Sequence, residues 1–210
     1  MSAVTRPGPT VLVVLAHPSA DSLNAALART AALAAEERGV TTMLHDLYSD
    51  GFDPRLKARE LAAPDFADDL TASYAHDLLL ADALVIVHPV WFFQVPAVLK
   101  GWVDRVVRED VAFAIDDLGK VTGLLSAKSA LVITTGNSSL EVERAAFGDP
   151  VTRFWRDVVL GPAGVARVER LAFTPVRDST PAIRSKWLRA VAETVVSLVA
   201  PAADGFNKPP

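Results

Sequence analysis

The sequence predicts a three-layer α/β domain, with five parallel strands and helices on both faces of the sheet. Two observations predict it: short runs of Val, Ile and Leu that do not alternate with polar residues, and amphipathic stretches that separate those runs. Strands buried on both faces of a parallel sheet read as continuous apolar runs. Strands alternating with helices imply βαβ units with right-handed crossovers.

In chain order, the first run is Val11–Ala16. Ser22–Arg38 follows as a helix, with Leu23, Leu27 and Ala31 at four-residue spacing, Leu33 and Ala34 widening the stripe, and Gly39 as a natural stop. Val40–Asp46 is a weaker second strand, and Ser49–Asp69 reads as an excursion before the next helix. Ala83–Val87 is the third strand, and Pro96–Val107 is a helix that opens on Pro at its first position. Ser129–Thr134 forms the fourth strand, Glu141–Val159 a long helix, Val168–Pro175 a weaker fifth strand and Thr180–Val199 the closing helix. One domain over residues 1–210 is expected, with 1–9 and 201–210 as flexible tails.

Composition removes several function classes. Among the 210 residues, 21 Lys and Arg stand against 25 Asp and Glu for a net charge of −4, and half of the chain is hydrophobic. That balance is unlike a disordered chain. It also gives no general attraction to phosphate backbones, so no nucleic-acid partner is expected. Cysteine is absent, which excludes disulfides, thiolate nucleophiles and cysteine-ligated metal centres. The run near the N-terminus is far shorter than the roughly 20 residues of a membrane span, and no cleavage-site pattern follows it, so a cytoplasmic location is expected. The histidines show no HxxxH or HxH spacing and no metal is expected; the glycine arrays of common nucleotide loops and the G-x-S-x-G elbow are also missing.

Ligands of an open parallel sheet bind beyond the carboxyl ends of the strands. Three segments fall there: HPSADSLN (His17–Asn24), HPVWFFQVP (His88–Pro96) and TTGNSS (Thr134–Ser139). In the first, small polar residues meet a helix start, whose free amides and dipole favour an anion, with Ser22, Asn24 and His17 available beside them. Asp21 or Ser22 serving only as a helix cap is an equal alternative. The second places Trp91, Phe92 and Phe93 together, a natural wall for a flat ring, or else a core plug or subunit contact. The third offers the hydroxyls of Thr134 and Thr135, a close-approaching backbone at Gly136 and the amide of Asn137, or an ordinary turn. An anion cradle, an aromatic wall and a polar edge together describe a pocket for a phosphorylated planar cofactor, with flavin the first candidate. His88 closes the third strand and reads equally as a buried, hydrogen-bonded residue. His45 and His76 lie apart from the crevice, and Asp116 and Asp117 read as a solvated loop pair.

The succession LAHPSADSLN, HPVWFFQVPAVLKGWVDRVV and TTGNSS resembles the flavodoxin-like NAD(P)H dehydrogenase (quinone) family, which includes DT-diaphorase and ancillary flavoproteins of potassium-efflux systems. The similarity runs from about Thr10 to about Leu198. It implies a flavodoxin-like fold of strand order 2-1-3-4-5, a bound flavin, ping-pong transfer of hydride from NADH or NADPH to a quinone or similar small-molecule acceptor, and a homodimer. By the same resemblance His17, Ser22, Leu23 and Asn24 hold the flavin pyrophosphate, Pro89, Val90, Trp91, Phe92 and Phe93 line the isoalloxazine and ribityl, and Thr134, Thr135, Gly136 and Asn137 contact its polar edge. A late match over Ser179–Trp187 points Arg184 at the adenosine half of FAD, which favours FAD, with FMN the alternative. Two departures stand out: the family's active-site Tyr and His fall on Val142 and Phe147, and two acceptor-site tyrosines fall on Ile115 and Asp117. Hydride chemistry belongs to the cofactor, so these losses imply slower turnover or another acceptor. They also leave open an ancillary flavoprotein attached to a membrane transporter. A one-electron flavodoxin fits less well, because HPSADSLN is no Ser/Thr-rich phosphate loop.

Overall fold

The computed structural model describes residues 8–62 and 65–200. Residues 1–7 and 201–210 of the expected tails lie outside the described residues; Pro9, at the inner end of the first tail, accepts a hydrogen bond from the Thr41 amide at 3.0 Å. The elements run β1 (Thr10–Leu15), α1 (Leu23–Glu36), β2 (Thr41–Asp46), α2 (Ala58–Ala62), α3 (Asp69–Leu80), β3 (Ala83–Pro89), α4 (Ala97–Val106), β4 (Phe113–Ile115) and β5 (Val121–Gly123). After these come β6 (Ser129–Thr135), α5 (Leu140–Phe147), α6 (Pro150–Arg153), a π-helical turn (Phe154–Leu160), β7 (Arg167–Phe173) and α7 (Pro181–Val199).

The main sheet is parallel throughout and ordered β2-β1-β3-β6-β7. This is the flavodoxin-like order expected from the family resemblance. Side chains of a strand alternate between faces, so β1 feeds two cores. Leu12 and Val14 pack with Leu78, Leu99 and Trp102 of α3 and α4 on one face. Val11, Val13 and Leu15 pack with Leu27, Ala31 and Val191 of α1 and α7 on the other. Each of the larger residues contributes on the order of 2 kcal/mol by leaving water.

The predicted helix over Glu141–Val159 is corrected by the structure. It breaks at Gly148, which caps α5 in the left-handed conformation (φ 70°), and Asp149 then caps α6, accepting from the Thr152 amide, with Pro150 next. Glycine tolerates that φ without a Cβ clash. The chain continues as π-helix rather than α-helix, and the Gly161 amide closes it on Arg156 O at 3.0 Å. The small antiparallel pair β4–β5 was not predicted.

The excursion over Ser49–Asp69 is fixed by one buried cation. Arg105 of α4, its side chain 0% exposed, donates to both carboxylate oxygens of Glu60 at 3.1 and 3.0 Å, to Asp68 at 2.5 Å and to the Asp53 carbonyl at 2.6 Å. Burial alone would raise the Glu60 carboxyl; the guanidinium, together with the Lys57 and Ala67 amides that donate to it, more than offsets this and holds it below the usual range. Close packing reinforces the anchor, because a Cβ at Gly101 would lie 2.3 Å from Pro54.

Candidate functional site

The sheet register brings the three predicted segments together. β3 and β6 stay paired to their ends, His88 opposite Thr134 and Pro89 opposite Thr135, and the Val90 amide donates to Thr135 O at 2.8 Å. The Asn24 side chain donates to Thr135 Oγ1 at 2.8 Å, tying the first segment to the third. Gly136 is held between Phe173 O and the Val176 amide at 3.2 and 2.9 Å, which adds the loop after β7.

At the start of α1, Ser22 Oγ accepts from the Ala25 amide at 3.1 Å, the capping role weighed above. The amides of Leu23 and Asn24 lie in the same first turn with no acceptor among the described residues. They form the anion-favouring end of the helix. His17 Nδ1 accepts from the Ser19 amide at 3.0 Å and so shapes the approach loop. Asn24 is buried and engaged with Thr135, so it acts on the cradle by fixing it.

The aromatic segment is a tight turn. Trp91 and Gln94 exchange both backbone hydrogen bonds at 3.1 and 3.0 Å, while Phe92 and Phe93 take φ of 50° and 57°. Left-handed backbone costs a residue with a Cβ roughly 1–2 kcal/mol, and Phe92 is 100% exposed besides. Two unfavourable placements side by side mark a segment kept for contact with something else. Phe93 packs on Phe147, ring centroids 4.4 Å apart. The position that resemblance gave to a family histidine is thus filled by an aromatic stack.

Between this turn and the loop after β6 lies a cavity of about 160 Å³, lined by Val90, Phe92, Phe93, Gly136, Asn137 and Leu140, with Ser138, Glu143, Arg170, Ala172 and Thr174 completing it. Ligand pockets commonly reach ~300–1,000 Å³, so this cavity is sized for one edge of a ring system. Gly136 fits such a ligand. A Cβ there would stand 3.6 Å from Thr174 and 3.9 Å from Val90, both in the cavity wall, so a longer side chain would grow into the space. Of the predicted residues, His17, Ser22, Leu23, Asn24, Pro89 and Trp91 are not in the cavity wall. Neither are Thr134 and Thr135, both buried, nor Arg184, which donates to Ser179 Oγ at 2.8 Å and stays exposed on α7. Asn137 Oδ1 accepts from the Arg177 amide at 2.9 Å.

Two wall residues carry charge, and sequence reasoning missed both. Arg170 donates in bidentate fashion to Glu143 at 2.7 and 3.0 Å, to Asp149 at 3.0 Å and, through Nε, to Thr134 Oγ1 at 3.0 Å. The strand-like run RVERLAF holds two arginines, Arg167 and Arg170, and nothing beside them in the sequence marks the second as a wall residue. His88 resolves to the buried alternative. Its Nδ1 is 2.8 Å from Pro89 O and its Nε2 accepts from Trp155 Nε1 at 3.0 Å, while burial pushes its pKa down to about 4. It is a neutral, structural imidazole. Among the described residues no group of three or more His, Asp or Glu could hold a metal ion, and no helix is long and apolar enough to cross a membrane.

A family model described as a flavodoxin-like fold matches residues 9–195. An uncharacterized NAD(P)H oxidoreductase from Haemophilus influenzae is 33% identical over 135 residues, covering 62% of this chain and 65% of that protein. The human ribosyldihydronicotinamide dehydrogenase [quinone] is 30% identical over 170 residues, covering 70% of this chain and 73% of that protein. The first curated relatives are therefore spanned over 65% of their length. The NAD(P)H:quinone oxidoreductase from Methanothermobacter marburgensis, at 21% identity, superposes with a TM-score of 0.78 over 93% of this chain and 98% of that one, a likeness of fold.

Proposed function

The chain belongs to the flavodoxin-like NAD(P)H:quinone oxidoreductase family, and on that premise we propose that it is a flavin-dependent NAD(P)H oxidoreductase passing two electrons to a quinone or similar acceptor by ping-pong hydride transfer. The observation that carries this reading is the cavity, with an exposed, strained aromatic turn on one side, Gly136 on the other and an open helix start nearby. Bound flavin supplies the hydride chemistry. The chain supplies position: the Leu23 and Asn24 amides meet the phosphate, Phe92 and Phe93 pack the ring and shed water from it, and Gly136, Asn137 and Ser138 leave room and hydrogen bonds for its polar edge. Arg184, beside the Val176–Ser179 loop, meets the adenosine half of FAD; FMN is accommodated without it.

The exposed Phe92 and Trp91 favour a homodimer that covers the turn. Absence of cysteine suits a reducing cytoplasm. An ancillary flavoprotein of a membrane transporter is the second reading, favoured by Val142 and Phe147, whose side chains have no proton to give. The test is oxidation of NADH and NADPH by the flavin-loaded chain with menadione and other acceptors. Acceptor-dependent turnover is expected. Flavin binding without turnover on any acceptor would move the assignment to the ancillary role.

A further inference from the structure

The Arg170–Glu143 pair is the one buried charge pair in the cavity wall, among the described residues, and nothing in the proposed reaction has yet used it. Its side chains are only 6% and 5% exposed. Removing two ions from water costs several kcal/mol each, and replacing such a pair with apolar residues is often neutral or stabilising. Stability is therefore a poor reason for its presence. The guanidinium has five N–H donors. Nε serves Thr134, Nη1 serves Glu143, Asp149 and, at 3.4 Å, Thr152 Oγ1, and Nη2 serves Glu143 once, which leaves one Nη2 N–H with no acceptor among the described residues. Arg144 balances the second carboxylate, donating to Asp149 at 3.1 Å.

Resting on the flavin reading above, we propose that this pair sets the redox balance of the bound flavin, Arg170 favouring the reduced form and Glu143 opposing it. Hydride brings two electrons and one proton from NAD(P)H, releases oxidised nicotinamide, and leaves one extra negative charge on the ring system. A fixed cation in a water-poor wall stabilises that charge, and the spare N–H gives it a donor. The chain thereby recovers, from β7 and α5, a charge partner at a site where Val142 and Phe147 can give neither proton nor charge.

The test is a potentiometric titration of the full chain loaded with FMN, comparing the wild type with Arg170→Met, Arg170→Lys and Glu143→Gln. The readout is the preference for reduced over oxidised FMN. Arg170→Met is expected to lower that preference at least tenfold, about 30 mV for a two-electron couple. Glu143→Gln should raise it, and Arg170→Lys should stay nearer the wild type. A purely structural pair would not move the two variants in opposite directions. Shifts of the same sign, or shifts below threefold in both, overturn the assignment. If Arg170→Met fails to fold, the sign for Glu143→Gln decides alone. A wild-type chain that takes up neither FMN nor FAD overturns the flavin reading itself, whereas loaded variants with unchanged preference overturn only the charge assignment.

Discussion

Replacing Gly136 with Val separates the ligand site from the fold. The Cβ itself meets ordinary contacts, 3.6 Å from Thr174 and 3.9 Å from Val90, and the backbone is not left-handed there. The folded chain should therefore accept it. Restricting the unfolded chain favours the variant by about 0.4–1 kcal/mol, so the net change in stability is expected within about 1 kcal/mol. The two added methyl groups enter a cavity of about 160 Å³. If they displace ligand contact worth about 0.8 kcal/mol per carbon, binding loses about 1.6 kcal/mol, or roughly tenfold in Kd. Gly136→Ala should cost less. Urea unfolding of the flavin-free variants gives the stability, and quenching of flavin fluorescence gives the Kd. Unchanged flavin affinity in Gly136→Val would show that the ring edge does not enter this cavity; a stability loss above 2 kcal/mol would show that the glycine serves the fold.

Acid should weaken the fold through His88. Its folded pKa, about 4, lies below the ordinary value of about 6.5, so the unfolded chain binds the proton more readily. The stabilisation is complete above pH ~6.5 and is lost as pH falls toward 4. His88 alone accounts for about 2 kcal/mol between pH 7.5 and 5, and His45, also lowered by burial, adds in the same direction; a flat urea midpoint over this range would contradict the assignment. Arg105→Met strands the buried Glu60 carboxylate and should cost about 3–5 kcal/mol. A cost under 1 kcal/mol, by the same assay, would mean that the excursion is held by other contacts. Phe92→Gly relieves a left-handed φ worth about 1–2 kcal/mol against an unfolded-state penalty of about 0.4–1. Its stability should hold or rise slightly while flavin affinity falls at least tenfold; a marked destabilisation would place Phe92 in packing instead.

The strands of the sheet interior were the most legible part. Ala83–Val87 and Ser129–Thr134 lie within β3 and β6 because strands covered on both faces favour apolar residues through their middles, Leu84–Val87 and Ala130–Ile133 here. The break in the predicted Glu141–Val159 helix was present as Gly148-Asp149-Pro150, a stop followed by a start, but the apolar spacing on either side outweighed it. The short β4–β5 pair carries too few residues to show a period. Long-range charge was hidden altogether. Arg105 meets Glu60 and Asp68 from 45 and 37 residues away, and Arg170 meets Glu143 from 27 away, so neither partner is visible locally. The site was legible as three loops because parallel strands deliver their ends to one place. Which residues form the cavity wall was not. Trp91 and Phe92 are adjacent in sequence, yet only Phe92 is in that wall, a choice made by the left-handed turn.

The most direct measurement is the absorbance spectrum of the purified chain, followed by release and chromatography of its chromophore and by titration of the stripped chain with FMN and FAD. Bound flavin is expected, with saturable uptake that Gly136→Val and Phe92→Gly both weaken. A colourless chain that takes up neither flavin would contradict the assignment of this cavity and of the reaction built on it.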